Sequence, residues 1–231
     1  LFFFLFIFFG FKDSDIENSN FNYLNAFLSI VSLDFMFSSL NIFSRQIREA
    51  KTLGTFESIL LTNTSFLTII FSSYAITFIR MLIRTTLYLT VCKLFFYQSI
   101  NFLDIFSVLL SLFFNSIPFI GLGLISASFI VIFKMGDISS LLIALISVFF
   151  SGIFFPVSSL PAFLSSFGEI TPLNVCIETA KIILSDNFVF DDLLPYFKIT
   201  GIEILLFLPL GVYLINFSLR VAKKEGSLSF Y

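Results

Sequence analysis

The sequence predicts an all-α, polytopic membrane protein, and three observations carry that prediction. Of 231 residues, 58% are hydrophobic and only 12% charged, about half the charge usual in a soluble domain. The mean hydropathy is +1.02, which leaves too little polar material to cover a soluble surface. The apolar residues also fall in long, non-alternating runs. Runs of roughly 20 residues suit helices crossing a hydrocarbon core of ~30 Å, whereas barrel strands would alternate.

The same composition excludes several function classes. The chain has no His and no Trp, and its two cysteines, Cys92 and Cys176, have no metal-ligand or redox spacing. Cys92 falls in an apolar stretch and Cys176 in a predicted loop, so neither a disulfide nor a metal site is expected. No basic patch interleaves with aromatics, and no nucleic-acid partner is expected.

The chain opens at Leu1 inside an apolar run, residues 1–9, that lacks the basic flank and small-residue cleavage site of a signal peptide. It reads as the tail of a first membrane helix whose beginning is missing, so the chain is taken as N-terminally truncated. Five further spans follow, at residues 23–43, within 66–97, 105–133, 138–155 and 201–219. The stretch 66–97 is too long for one straight crossing. Its first part is expected to lie along the interface. Between the spans, residues 12–22 are acidic, 44–65 form a charged amphipathic segment, 134–137 a tight turn, and 220–231 a basic tail. Residues 156–200, with Pro156, Pro161, Pro172 and Pro195, hold apolar pieces too short to cross.

Orientation follows from the basic residues of the loops. One set holds seven: Arg45, Arg48, Lys51, Lys134, Arg220, Lys223 and Lys224. The alternate set holds three, Lys12, Lys181 and Lys198, among many carboxylates. The first set is read as cytoplasmic, with the C-terminus inside and six spans in total.

No catalytic constellation is visible. A P-loop, a nucleophile elbow and histidine are all lacking, so any energy must come from another subunit. The most informative segment runs from Arg45 to Ser65. Gly54 can end one helix and Thr55 can cap the next. From there Phe56, Ile59 and Leu60 share a face, and Glu57 sits in the first turn, where the helix dipole favours an anion. This pattern suits a surface helix that docks a soluble partner. An interfacial helix that merely anchors a loop fits it equally.

Arg48-Glu49 followed by Gly54-Thr55-Phe56-Glu57-Ser58-Ile59-Leu60-Leu61-Thr62 resembles the "R-E…G-T-x-E-x-L-L-x-T-P" signature of ABC-2 type transporter permeases, with Asn63 in place of the final Pro. A second stretch, Ser151-Gly152-Ile153-Phe154-Phe155-Pro156, then Leu160-Pro161 and Thr171-Pro172-Leu173, resembles the family's "S-G-x-x-F-P-x-x-x-L-P…x-P-L" motif. The tail Lys223-Lys224-Glu225-Gly226 is similar to its basic ending. The resemblance implies the six-helix permease fold over the whole chain, with the first helix only partly present. It implies a non-enzymatic subunit of an exporter in the cell membrane, paired with a second copy. A separate ABC ATPase would use the ATP and magnesium, so this chain itself binds no cofactor. Residues 44–65 would be the cytoplasmic coupling segment, with Arg48, Glu49, Gly54, Thr55, Phe56, Glu57, Leu60 and Leu61 contacting the ATPase. Residues 156–200 would form an external re-entrant region, gated around Ser151, Gly152, Phe155, Pro156, Pro161 and Pro172.

Charges within the spans are costly, at ~2.5–3.5 kcal/mol for a central Arg on insertion scales. Arg80 and Arg84 lie on one face and are expected to snorkel to the inner headgroups, the sharper reading being contact with an anionic lipid or substrate. Asp34 is expected to face the interior of a dimer or to pair with Arg80 or Arg84. Glu203 is expected to snorkel outward. Small residues at Gly121, Gly123, Ser126, Ala127 and Ser128 permit close helix packing. Two other classes remain open, an ion-coupled secondary transporter and a non-transporting membrane scaffold. The first would call for paired discontinuous helices and an inverted repeat, neither of which the sequence displays.

Overall fold

The computed structural model describes residues 16–56, 58, 66–96, 102–133, 138–153, 157, 161–185 and 189–224. The described residues form seven α-helices and no strand: α1 (Ile16–Thr52), α2 (Phe66–Phe96), α3 (Phe102–Phe133), α4 (Ile138–Phe150), α5 (Ala162–Ile170), α6 (Pro172–Ile183) and α7 (Leu194–Lys224). A 3-10 turn, Phe190–Leu193, leads into α7. The expected helix tail at residues 1–9 lies outside the described residues.

The centre of the bundle is α3. It is apolar enough to cross a bilayer over Leu103–Phe133, as is Phe190–Lys224, which contains α7. Both carry an internal proline, Pro118 and Pro209, and the carbonyls these free must find partners in neighbouring helices. The two helices approach to backbone contact. A Cβ on Gly121 would lie 2.5 Å from the carbonyl carbon of Phe207, and one on Gly211 would lie 2.6 Å from the Gly121 oxygen. On another face of α3, Gly123 admits Phe43 and the Ser39 carbonyl of α1. One turn on, the hydroxyls of Ser44, Ser126 and Ser139 form a chain across α1, α3 and α4. The small residues of the fourth span thus serve packing on three sides.

Three element bounds differ from the expectation. There is no break at residue 44: α1 continues to Thr52 and stops at Gly54, whose φ is +68°. Gly54 N–H donates to Lys51 O and Thr55 N–H to Ala50 O, the paired bonds of a Schellman ending. The stretch 66–97 contains one continuous helix with no interfacial break. The last helix begins at Leu194 rather than residue 201, because Pro195 in its first turn forfeits no intrahelical bond.

The fifth span departs furthest. The 13 residues of α4 reach only ~20 Å, short of the ~30 Å core. The chain turns at Ser151 and at Gly152, whose φ is +75°, and α6 begins beside that turn. Thr171 Oγ1 lies 3.5 Å from Phe150 O. A Cβ on Gly152 would lie 3.5 Å from Asn174 Oδ1. From there α6 runs from a cluster containing Met36, Leu40, Phe119 and Ala144 to one containing Leu28, Ile105 and Leu193. Two short helices, α4 and α6, thus meet near mid-bundle. Cys176 is free and buried within α6, not in a loop, because the flanking Pro172 starts a helix at its first position.

The α3–α7 contact yields a contrast between two glycines. Gly121→Ala is expected to destabilise by ~1–3 kcal/mol, since helix backbone must move to admit it. Gly201→Ala, with nothing within 4 Å of its Cβ position, is expected to be neutral or stabilising by up to ~1 kcal/mol. Thermal unfolding of the two variants in detergent, followed by circular dichroism, measures the difference.

Candidate functional site

The two ends of the bundle differ in charge. The end of α1 that carries Arg45, Arg48 and Lys51 shares a core cluster with Leu219 and Ala222 of α7 and with Ile130 and Val131 of α3, so Lys223 and Lys224 lie at the same end. The opposite end gathers Asp104, Glu169, Glu178, Asp191 and Asp192, with Lys181 bonded to Glu178 at 2.7 Å.

At the basic end, the candidate coupling residues fall on both sides of the Gly54 turn. Glu49 is exposed and takes Arg45 Nε at 2.6 Å. Arg48 is half-buried, and its carbonyl accepts from Thr52 Oγ1. Thr55 is exposed, its hydroxyl donating to Ala50 O at 3.3 Å. Phe56 differs from these: its side chain is 1% exposed and packs with Phe43, Ile47, Tyr74, Leu124 and Ile215, while the Lys51 ammonium stands 5.7 Å from its ring centre. One aromatic side chain therefore anchors the chain beyond Gly54 in the core cluster that α1, α2, α3 and α7 share. Its burial contributes on the order of 1.5–3 kcal/mol. Glu57, Leu60 and Leu61 lie outside the described residues.

Where α4 meets α6, Ser151 is buried and bonds Val148 O at 2.8 Å, and Gly152 makes the left-handed turn after α4. Pro161 precedes α5 and is exposed, whereas Pro172 opens α6 and is buried. Phe155 and Pro156 lie outside the described residues. A cavity of about 650 Å³ opens here between α5, α6 and the start of α7, lined by Glu169, Asn174, Glu178, Lys181 and Tyr196 among others. Deeper in, Asn115 of α3 joins three helices. Its amide donates to Thr179 Oγ1 of α6 at 2.7 Å, and its oxygen accepts from Thr200 Oγ1 of α7 at 2.8 Å. Sequence reasoning missed this triad, although Asn115 stands out as the one amide inside an otherwise apolar span.

The charges within the helices correct two expectations. Arg84 does not snorkel; its Nη2 lies 2.5 Å from Asp34 Oδ2 and donates to Ser38 Oγ at 3.1 Å. Asp34 is the midpoint of α1 and Arg84 lies close to the midpoint of α2, so the pair sits far from both helix ends. Arg80, one turn away, is exposed and outside this pair. Glu203 does not snorkel either. It is 3% exposed, and neither carboxylate oxygen has a hydrogen-bond partner among the described residues. The cause is that α7 turns this side of the helix, with Thr200, toward α6 and α3 rather than toward lipid.

The family profile for ABC-2 type transporters matches residues 1–184. The chain belongs to the ABC-2 type transporter family. It is accordingly an all-α membrane protein and a permease of an ABC-type transporter, not itself catalytic. No curated protein and no solved structure matches the chain.

The Asp34–Arg84 pair of this ABC-2 type permease is half-exposed, at 26% and 41%. Asp34→Asn and Arg84→Gln are each expected to cost ~1–3 kcal/mol, because each strands its partner's charge. The double variant is expected to cost less than the sum by ~1 kcal/mol or more. A double-mutant cycle on detergent thermal unfolding reads the coupling.

Proposed function

We propose that this chain forms the substrate pathway of an ATP-driven exporter, as one of two permease copies in the cell membrane, driven by a separate ABC ATPase that docks on residues 44–65. The observation that carries the reading is the burial of Phe56. An ATPase can bias a membrane dimer only through contacts that differ between the dimer's states. A docking segment must therefore be joined mechanically to the helices it moves, and Phe56 anchors this one in the core that α1, α2, α3 and α7 share. The Schellman turn at Gly54 sets where the segment leaves the helix, with Arg48, Glu49 and Thr55 on its accessible side.

The charge asymmetry of the bundle supports the orientation, with the basic end cytoplasmic and the C-terminus inside. The break between α4 and α6 supports a re-entrant region over 156–200 on the external side. Non-helical backbone at that depth is tolerated where protein buries it, as at Ser151. Ser151, Gly152, Pro161 and Pro172 would then shape the outer exit, together with Phe155 and Pro156.

The ion-coupled alternative has one observation in its favour, the buried Glu203 with no hydrogen-bond partner among the described residues, since intramembrane acids often mark ion pathways. Purification of the full-length protein from its native membrane in mild detergent separates the two. Recovery of a soluble P-loop ATPase at near one-to-one ratio is expected. A permease that never associates with one, even after cross-linking at position 57, would favour ion coupling. Glu57→Lys is expected to abolish export and substrate-stimulated ATP hydrolysis while leaving the permease in the membrane at normal abundance. Undiminished export by that variant would remove Glu57 from the docking contact.

A further inference from the structure

Half-exposed polar side chains run along the facing sides of α1 and α2. On α1, Asp34, Ser38, Asn41 and Arg45 recur at intervals of four, three and four residues, and on α2 Ser73, Thr77, Arg80 and Arg84 do the same. Such intervals place each set on one helix face. The bonds from Arg84 to Asp34 and to Ser38 join the two faces into one polar seam. None of the eight side chains is fully buried, so the seam is open along its outer side.

Most of the seam is satisfied internally. Asn41 and Ser73 turn back onto their own helix carbonyls, Arg45 is taken by Glu49, and Asp34 neutralises Arg84. What remains is cationic. Arg80 is exposed and forms no ion pair among the described residues, and the Arg84 side chain, though paired with Asp34, stays half-exposed. Arg80 lies ~21 Å along α2 from Phe66 and ~24 Å from Phe96, near the middle of a helix longer than the hydrocarbon is thick. The borders of the seam are of opposite character. Phe37, Ile76, Ile79 and Ile83 are all exposed beside it. An uncompensated guanidinium between lipid-like flanks is complementary to a molecule with an anionic head and apolar chains.

We propose that this seam holds the anionic headgroup of an amphiphile, a phosphate- or carboxylate-bearing lipid-like molecule. Arg80 binds the head beside the half-exposed Arg84 side chain, and the chains lie over Phe37, Ile79 and Ile83. The proposal rests on the permease reading and names the substrate class of its pathway.

Binding is tested on the full-length permease alone, in detergent, offered equimolar phosphatidylglycerol and phosphatidylcholine, with retained lipid counted by native mass spectrometry. A preference of about fivefold for phosphatidylglycerol is expected, the factor associated with one lipid-facing cation. Arg80→Gln, which leaves the Asp34–Arg84 pair intact, is expected to remove most of it. The paired change Asp34→Asn with Arg84→Gln, which strands no charge, is expected to remove the rest, while Lys223→Gln leaves the preference unchanged. Equal retention of both lipids by the unaltered protein would overturn the proposal, as would a preference surviving in both seam variants. Displacement of phosphatidylglycerol by inorganic phosphate at the same concentration would overturn the amphiphile in favour of a soluble anion. The readout needs no ATPase. A permease without an ATPase partner that keeps the preference sinks the exporter reading alone, and an ATPase-coupled one without it sinks the seam alone.

Discussion

Hydrocarbon offers no hydrogen-bond partner, and nearly every feature of this chain answers that constraint. Backbone groups are satisfied within helices. The serines and threonines of the spans follow the same logic, donating to carbonyls three or four residues earlier, as Ser111, Ser128, Ser147 and Ser218 do. Several polar groups close on another helix instead. Ser44, Ser126 and Ser139 link one end of the bundle, Asn115, Thr179 and Thr200 the other, and Asp34 and Arg84 the middle. Glu203 stands out against this background as a carboxylate with neither solution among the described residues.

The same constraint explains why α3 organises the fold. Lipid gives helices no hydrophobic reason to associate, so close packing must supply the attraction. Gly121, Gly123 and Gly211 bring α7 and α1 onto α3 at backbone distance, and the larger residues around them then interlock. Phe119 and Leu124 of α3 are fully enclosed, and the Phe43, Tyr74 and Phe78 rings stack along the α1–α2 boundary. Outside this core the exposed faces are mainly leucine, isoleucine and phenylalanine, and charged side chains break them at the α1–α2 seam.

The helical class and the family were legible in the sequence because both rest on local signals. Run length and missing charge announce helices in lipid, and Gly54-Thr55 announces a helix end from the conformation only glycine adopts freely. The partners of Asp34 and Arg84 were legible only as a choice, since helix spacing names a face but not what meets it. The depth of Glu203 and the break between α4 and α6 were not legible. Residues 138–155 carry no charge, and composition does not record where a helix stops when the next one begins beside it. The Asn115 triad needed three helices from distant parts of the chain to be brought together.

The burial of α6 bears on how the protein is made. Its twelve residues include Asn174, Glu178, Thr179 and Lys181, too polar a set to partition into lipid unaided. Cover for it comes from α1 and α3, which are synthesised earlier, and from α7, which follows it. The Asn115–Thr200 bond can close only once α7 has been made, so the full enclosure of this short helix belongs to the last stage of folding.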